Sequence, residues 1–330
     1  MLAGLTSDFD AYFEDVLTSL YGSLSCDLDL VKSHFTRIQA AFLIHDDIID
    51  DSPMRRGKVS WGLLQQREGH GLIGINDGLH LYMSAQQLLM ASFKSRPHPR
   101  SLEILKLFCD CANYTCIGQA LDILTSDQMR PVDSGGVSLC TRLTSNGDRL
   151  RDATVSRSTS IAKWKTSYYS FVLPVVAGML LADVKSDVLF SNAEKILLKI
   201  GEYFQVQDDF LDVFGDEKVT GKVGTDIQEG KCSWLIATAL DKASSEQRDV
   251  LCRNYGLKDP GCVNAVRDIF YELDLPILYS VYEDQARKDI FETIESVSTD
   301  KTEDFTGPAA TKLPRQLFAE ILNILCHREK

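Results

Sequence analysis

The chain has 330 residues, enough for one large domain or two medium ones, and its 44% apolar and 25% charged composition is that of a globular protein with a sizeable core. Its formal net charge of −12 argues against a nucleic-acid-binding protein and against a partner at an anionic membrane surface, since both favour basic patches. The longest apolar run, residues 171–182, is too short to span a membrane.

The N-terminus and the cysteines give an expectation about location. The first residues, MLAGLTSDFD, lack the basic segment of a signal or transit peptide. Nine cysteines are scattered along the chain without the paired spacing of a zinc site. We therefore predict unpaired thiols in a reducing, cytoplasmic compartment.

Apolar residues recur at helical spacing through much of the chain. The pattern predicts helices at the apolar stretch before residue 46 and then at 101–125, 161–182, 193–215, 232–240, 263–273 and 314–326. Connections rich in polar or helix-breaking residues are predicted at 94–100, 129–160, 215–230 and 296–313. Because strand patterns are nearly absent, the chain is predicted to be a single all-α domain over residues 1–330, built from antiparallel helices.

The first acidic motif lies in the stretch AAFLIHDDIIDDSPMRRG, residues 40–57. Residues four apart share a helix face, so Asp46 and Asp50 should project together, with Asp47 beside them. Carboxylates at this density raise one another's pKa unless a cation lies among them. Mg²⁺ is the natural candidate, because it binds one or two carboxylates and completes its shell with water and phosphate.

A second motif, QVQDDFLD, places Asp208, Asp209 and Asp212 at the same spacing on another apolar helix. One such motif in an acidic protein is usually a solvated helix face. Two of them, each embedded in an apolar helix, predict helices that face each other across a cavity and hold metal ions and a diphosphate between them.

Basic residues accompany both motifs. Arg55 and Arg56 follow the first, Lys222 and Lys231 follow the second, and Lys165 lies in the segment IAKWKTSYYSF. Arginine forks bind phosphate oxygens in bidentate fashion, whereas lysine acts as a mobile point charge. Each of these residues alone would be read as a solvated surface residue, but their placement beside metal-type motifs predicts a phosphate site.

These segments together resemble the trans-isoprenyl diphosphate synthases, and among them the farnesyl diphosphate synthase group. The resemblance covers roughly residues 35–330 and rests on DDIIDDSPMRRG at 46–57, GQALDILT at 118–125, KWKTSYYSFVLPV at 163–175, the stretch 201–234, NYGLKD at 254–259 and ELDLPILYSVYED at 272–284. It implies an all-α, isoprenoid synthase type helix bundle around a central cavity, and a homodimer.

The resemblance also implies roles for individual residues, by their match to the family's motifs. About three Mg²⁺ ions would be held with the diphosphate by Asp46, Asp47 and Asp50 on one wall and by Asp208, Asp209 and Asp212 on the other. By the same match, the diphosphate of an allylic prenyl diphosphate would be bound by Arg55, Lys165 and Lys222, and the carbocation would be stabilised by Thr166 and Gln205. Isopentenyl diphosphate would be bound by Gln39, Arg56 and Phe204. The cavity would be lined by Gln119 and Asp122, and Asp226 would belong to the metal shell. Lys231 is placed with the substrate-binding residues.

Two departures from the family's pattern bear on the reaction. The family carries a Gly-Gly-Lys segment and a nearby arginine that grip isopentenyl diphosphate, and residues 1–45 contain no Gly-Gly-Lys. Residues 1–30 are therefore expected to be an atypical, shortened N-terminal part, which reflects either an incomplete second-substrate site or a missing beginning. Ala41 stands where farnesyl synthases carry an aromatic residue, and its small side chain would deepen the tail pocket. His45 is expected to support the pocket rather than to bind metal.

Three functions stay open on this evidence. The first is a Mg²⁺-dependent prenyltransferase that condenses isopentenyl diphosphate with dimethylallyl or geranyl diphosphate. The second is a terpene synthase of the same origin that converts a finished prenyl diphosphate such as farnesyl diphosphate, favoured by Ala41 and by the absent Gly-Gly-Lys segment. The third is a non-catalytic paralogue that acts as a heterodimer subunit, against which the two intact acidic motifs argue.

Overall fold

The computed structural model of the protein describes residues 25–131, 149–216, 224–299 and 311–326, with side chains from residue 32 onward. The described residues form two compact units: the first comprises 25–112, 169–198, 290–299 and 311–326, and the second 113–131, 149–168, 199–216 and 224–289. The assignment of residues 1–330 to a single domain stays a prediction. Within these ranges, no helix is both long and apolar enough to cross a membrane.

Helices dominate the described residues. In chain order they are α1 (Ser25–Ile49), α2 (Trp61–Arg67), α3 (Ile73–Ser95), α4 (Ser101–Met129), α5 (Val155–Ile161), a π-helical segment (Ala162–Val172), α6 (Leu173–Leu181), α7 (Asp187–Phe214), α8 (Asp226–Glu229), α9 (Trp234–Lys242), α10 (Ser245–Asn254), α11 (Pro260–Glu272), α12 (Leu275–Val297) and α13 (Arg315–Cys326). Four two-residue strands complete the elements: β1 (Met54–Arg55) pairs antiparallel with β2 (Lys58–Val59), and β3 (Ser298–Thr299) pairs parallel with β4 (Leu313–Pro314).

The first unit is organised around α1, which packs against α2, α3 and α6. Phe35 and Ile38 on α1, Leu89 on α3 and Phe108 on α4 are all almost completely buried. Phe35 and Ile38 are three residues apart, so they share the helix face that is turned inward. Burial of large apolar side chains stabilises a fold by about 1.5–3 kcal/mol each. This packing fixes the axis of the helix that ends in the first acidic motif.

The second unit has an aromatic core beside the second acidic motif. The ring of Phe210 on α7 stacks on Tyr279 of α12, with ring centroids 3.9 Å apart and planes 10° from parallel. Trp234 at the start of α9 meets the same tyrosine ring edge-on at 6.2 Å. Around these rings, α9 packs against α5 and α11, and α10 packs against α11. Phe210 lies between the aspartates of the second motif in sequence, so the core anchors that part of α7.

Most of the predicted helices are confirmed. The helix predicted at 101–125 is α4, which continues to Met129, and that predicted at 193–215 is α7, which begins at Asp187 and ends directly before Gly215. The segments 232–240, 263–273 and 314–326 correspond to α9, α11 and α13. The connection predicted at 129–160 is wrong at its end, because Val155 begins α5, where Thr154 accepts a hydrogen bond from the Arg157 backbone N–H. Residues 132–148 lie outside the described residues.

The prediction of a helix at 161–182 is confirmed, but part of that helix has the pitch of a π-helix rather than an α-helix. Residues 161–182 are helical as expected, but Ala162–Val172 form a π-helix before α6 resumes the ordinary pitch. Apolar spacing cannot reveal this, because a π-helix is defined by backbone bonds five residues apart rather than by composition.

A buried histidine marks the core of the first unit. His34 on α1 is 1% exposed, and its ring meets Phe108 edge-on with centroids 4.3 Å apart. The backbone of Ala85 lies near the ring, yet neither ring nitrogen makes a hydrogen bond of normal geometry within the described residues. Burial therefore disfavours the imidazolium and lowers the pKa of His34 to about 4, with a smaller contribution from the charge of Arg37.

We expect this histidine to make the fold acid-sensitive. Since the unfolded state binds a proton with a pKa near 6.5, stability contributed by neutral His34 is complete above that pH and is lost as the pH falls toward 4. The loss approaches about 3 kcal/mol at pH 4, because one pKa unit corresponds to 1.36 kcal/mol. Urea unfolding at pH 7 and pH 5 should show a smaller pH effect in H34L than in the unaltered chain. H80L, at an exposed histidine of α3, is the control and should keep the full pH effect.

Candidate active site

The first acidic motif occupies the C-terminal end of α1. The helix stops through a left-handed residue, Asp51, with φ of 49°, and the Ser52 backbone N–H bonds the Asp47 carbonyl at 2.9 Å. This arrangement is a Schellman-type helix end. It leaves Asp46 and Asp47 in the last turn and Asp50 directly after it, at the negative end of the helix dipole, and that turn contains no basic residue. The helix terminus itself therefore adds to the repulsion among these carboxylates.

Arg55 supplies the first positive charge at this cluster. Its Nε donates to Asp47 Oδ1 at 2.8 Å, its Nη2 bonds the same oxygen, and Nη2 lies 3.3 Å from Asp46 Oδ2. Asp47 is 4% exposed, and burial raises the pKa of its carboxyl group despite the opposing charge of Arg55. Asp46 and Asp50 remain partly exposed. One guanidinium thus serves two aspartates of the motif.

A tight hairpin brings Arg55 back to the helix. Arg55 pairs with Lys58, and the two residues between them, Arg56 and Gly57, have φ of 52° and 72°. Two left-handed residues define a type I′ turn, which is rare for an arginine. The turn leaves Arg56 exposed while Arg55 is half-buried.

Two further residues of α1 were singled out from the sequence. Gln39 is buried on the helix. The Nε2 atom of His45 lies 3.0 Å from the Ile75 carbonyl on α3, and Gly78 leaves the space that the ring occupies. This bond agrees with a supporting role for His45 between α1 and α3.

The second acidic motif lies in the last two turns of α7, and its aspartates make different contacts. Asp209 is buried and accepts the Trp234 backbone N–H at 2.7 Å and the Gln205 side-chain amide at 3.0 Å. Burial raises the pKa of Asp209 to about 7, and the charges of the neighbouring aspartates raise it further. The two hydrogen bonds lower the pKa, but by less than burial raises it. Asp208 is partly exposed.

Asp212 organises the loop that follows the motif. Its two carboxylate oxygens accept the backbone N–H groups of Asp226 at 2.9 Å and Thr225 at 3.3 Å, at the start of α8. That short helix ends at the left-handed Gly230, and the next residue is Lys231. The Tyr255 hydroxyl holds the Lys231 carbonyl at 2.6 Å. The carboxylate of Asp212 therefore helps to place Lys231.

Lys231 and Lys165 meet at one buried carboxylate. Oδ2 of Asp122 on α4 lies 2.7 Å from Lys165 Nζ and 3.0 Å from Lys231 Nζ. Burial alone would disfavour ionised Asp122, but the two ammonium groups outweigh it and hold the pKa of this carboxyl below its usual value. Asp122 thus brings two ammonium groups together, an arrangement that suits a polyphosphate.

A directed hydrogen-bond series runs to Thr166. The Thr166 hydroxyl donates to Gln205 Oε1 at 2.8 Å, and the Gln205 amide donates in turn to Asp209. Because Asp209 is an acceptor, the amide oxygen of Gln205 must face Thr166. The hydroxyl proton of Thr166 is therefore used in the bond to Gln205, and the lone pairs of the hydroxyl oxygen are left to interact with a positive charge. Phe204, the preceding residue on α7, is half-buried.

The structure brings the predicted site residues together in two groups. The group in the first unit contains the first acidic motif with Arg55, and the group in the second unit contains Lys165, Thr166, Gln205, Lys231 and the second acidic motif. Lys222 lies outside the described residues, so its assignment stays a prediction. The resemblance placed Asp122 only in the cavity lining, and its role as the common partner of two lysines was missed. The available signal was an acidic residue between the apolar Leu121 and Ile123, on a helix that carries several other charged residues.

The carboxylates fit a magnesium ion that is shared with a ligand. Among the described residues, no three histidine, cysteine, aspartate or glutamate side chains are placed to hold a metal by themselves. Mg²⁺ does not require this, because it uses one or two carboxylates together with substrate phosphates and water. Asp46 and Asp50 in the first motif and Asp208 in the second offer partly exposed oxygen donors of that kind.

Comparison with known proteins identifies the class. The polyprenyl synthetase family matches residues 21–273, and the chain belongs to that family. The predicted family, fold class and enzyme class, a trans-prenyltransferase with an isoprenoid synthase type helix bundle, are confirmed.

Its relatives include farnesyl pyrophosphate synthases. That of Rattus norvegicus is 41% identical over 293 residues, covering 89% of this chain and 73% of the rat protein. That of Homo sapiens is 42% identical over 258 residues, covering 78% of this chain and 56% of the human protein. A T. brucei farnesyl diphosphate synthase structure complexed with risedronate superposes with a TM-score of 0.75 at 30% identity, covering 97% of this chain and 85% of that one.

We expect R55Q to destabilise the protein by about 1–3 kcal/mol, because it leaves the buried Asp47 carboxylate without its charged partner. Urea unfolding in EDTA measures this loss. In a D47N background the same change should cost much less, because no buried charge remains. K106Q, which removes an exposed helical ion pair with Asp110, is the control and should cost less than about 0.5 kcal/mol. An equal loss for R55Q in both backgrounds would contradict this account.

Proposed function

We propose that the chain is a Mg²⁺-dependent prenyltransferase of the farnesyl diphosphate synthase type, which ionises an allylic prenyl diphosphate and condenses it with isopentenyl diphosphate. The observation that carries the proposal is the pair of acidic motifs at the C-terminal ends of α1 and α7, neither of which has a basic residue in its last turn. The similarity to farnesyl pyrophosphate synthases supports the same reaction. That the two motifs face each other across a substrate site belongs to this proposal.

The aspartates divide the work of a metal site. Mg²⁺, when bound, would neutralise the diphosphate and favour its departure. Asp46, Asp50 and Asp208 are the partly exposed carboxylates and would be its main protein ligands. The buried Asp47, Asp209 and Asp212 also hold Arg55, Gln205 and the start of α8 respectively, so we assign them a supporting role beside any metal contact.

The remaining residues would act on the two substrates. Lys165 and Lys231, with Arg55 and the predicted Lys222, would stabilise the charge that builds on the leaving diphosphate. Thr166 and Gln205 would stabilise the allylic cation through oxygen dipoles, as the direction of their hydrogen bond favours. Gln39, Arg56 and Phe204 are assigned to isopentenyl diphosphate on the resemblance alone.

A homodimer in the cytoplasm completes the proposal. Leu72 and, on α3, Ile75, Leu79, Met83 and Met90 are each between 47% and 62% exposed and recur at helical spacing. Exposed apolar residues that recur in this way on a globular protein usually mark a contact surface. We assign it to a second copy of the chain. Cys111 and Cys232 are free thiols, as a reducing compartment would keep them.

The reaction is tested by incubating the purified chain with MgCl₂, isopentenyl diphosphate and geranyl diphosphate, with mass spectrometry of the products. Farnesyl diphosphate is expected. Release of a terpene from farnesyl diphosphate alone, without elongation, would instead establish the terpene synthase alternative, and no turnover of any allylic diphosphate would leave the non-catalytic paralogue.

D46N and D208N should each lower kcat by about 10²-fold or more, because each removes charge that would hold Mg²⁺ against the leaving group. Raising the MgCl₂ concentration should recover some of the activity. D110N, at an exposed aspartate of α4, is the matched control and should retain full activity. Activity of D46N or D208N that matches D110N would reject their assignment as ligands.

The dimer is tested with the double variant L79E/M83E. Sedimentation velocity should show a dimer for the unaltered chain and a monomer for this variant, because two carboxylates per copy would be buried without partners at the contact. V188E, at an apolar residue that is 67% exposed on α7, should remain a dimer. Dimers in all three samples would place the contact elsewhere.

A further inference from the structure

The π-helical segment Ala162–Val172 carries two adjacent residues of the proposed site, Lys165 and Thr166. Runs of π-helix this long are rare, because the wider turn loses contacts along the helix axis, so an outside constraint is required to hold one. Ser167 contributes locally, since its hydroxyl donates to the Ala162 carbonyl five residues back at 3.0 Å. The stronger constraints come from α4 and α7.

Gly118 of α4 lies against the backbone of the segment. A Cβ atom at this position would stand 2.5 Å from Lys165 Cα and closer still to the Lys165 nitrogen, distances that real Cβ atoms do not show. The obstructing atoms belong to the main chain and cannot rotate aside. Only glycine therefore permits α4 to approach the segment at this residue.

Gly201 of α7 makes a similar close approach at Ser167, which lies just beyond Lys165 and Thr166 in the segment. A Cβ atom on this glycine would stand 2.5 Å from Ser167 Cβ and 2.8 Å from Ser167 Cα. The two glycines belong to different helices, yet both lie in close contact with the short stretch 165–167. Each removes the side chain that would otherwise keep its helix at the usual interaxial distance of about 8–10 Å.

Each glycine is followed, one helical turn later, by the polar partner of a site residue. Asp122 is four residues after Gly118 and binds Lys165 at 2.7 Å. Gln205 is four residues after Gly201 and accepts the Thr166 hydroxyl at 2.8 Å. Residues four apart lie on the same helix face, so close approach at the glycine brings its polar partner within bonding reach.

We propose that Gly118 with Asp122 on α4, and Gly201 with Gln205 on α7, form a matched positioning device that sets Lys165 and Thr166 in the π-helical segment. The proposal rests on the proposed function, since it assigns the purpose of the device to the diphosphate and the allylic cation. Gly118, Gly201 and Asp122 are positioning residues, because they act through Lys165 and Thr166. Asp122 also holds Lys231 at 3.0 Å, so the α4 half sets both lysines.

The first experiment compares G118A and G201A with G74A in the elongation assay. Gly74 is the matched control, because the closest atom to a Cβ there is the movable end of Ile48 at 3.0 Å. G118A and G201A should lower kcat by about 10²-fold, the effect of displacing a catalytic group by about 1 Å, with a much smaller change in KM. G74A should retain its activity. Kinetics of G118A and G201A that match those of G74A would overturn the proposal.

A double-mutant cycle separates positioning from general damage. If Gly118 acts through Lys165, G118A should lower kcat by less than about threefold once K165A is present, and G201A should behave likewise in a T166V background. The same fold-loss in both backgrounds would show a merely structural role. If a glycine variant fails to fold, D122N carries the test with D110N as its control, because asparagine has the same number of non-hydrogen atoms as aspartate.

A binding measurement keeps this test independent of the proposed function. Inorganic pyrophosphate is titrated calorimetrically with MgCl₂ present, and D122N should weaken its binding by at least about tenfold relative to D110N. If the unaltered chain binds pyrophosphate but performs no elongation, the proposed function fails and the device is judged by this binding alone. An unchanged or lower Kd in D122N would overturn the α4 half of the device.

Discussion

The constraint on which the site depends is the placement of carboxylates at the negative ends of helices. Asp46 and Asp47 lie in the last turn of α1, and Asp212 lies in the last turn of α7, with no basic residue in either turn. The helix dipole disfavours a negative charge there, and neighbouring carboxylates disfavour it further. Arg55 donates hydrogen bonds to the first motif, and backbone N–H groups donate to Asp209 and Asp212 of the second.

Burial divides each motif into two kinds of aspartate. The buried members use their oxygens to position protein groups, whereas Asp46, Asp50 and Asp208 are partly exposed. A cation bound to the second kind would therefore also lower the strain on the first kind. If these aspartates hold metal and substrate, as proposed, ligand binding to the native state would add to the free energy of unfolding through the same charges.

Sequence patterns predicted most of the helices and both acidic motifs, because apolar spacing and charge spacing are local properties. They did not predict the start of α5 at Val155, because that helix begins in a polar stretch with no apolar repeat. The partition of roles within the motifs depends on partners far along the chain, such as Trp234 for Asp209 and Lys231 for Asp122, so spacing could not supply it. The π-helical pitch likewise depends on close approach by two glycines from other helices, which no local pattern encodes.

The turn at Arg56 has a consequence for anyone who engineers this protein. Arginine adopts a left-handed φ of 52° there, beside Gly57, in a turn whose geometry asparagine or glycine satisfies at lower energy. A library screened for heat tolerance alone would thus be drawn toward replacing Arg56 and would discard a cation that the hairpin presents outward. If Arg56 binds isopentenyl diphosphate, as proposed, selection for robustness and selection for turnover would pull in opposite directions at this one position.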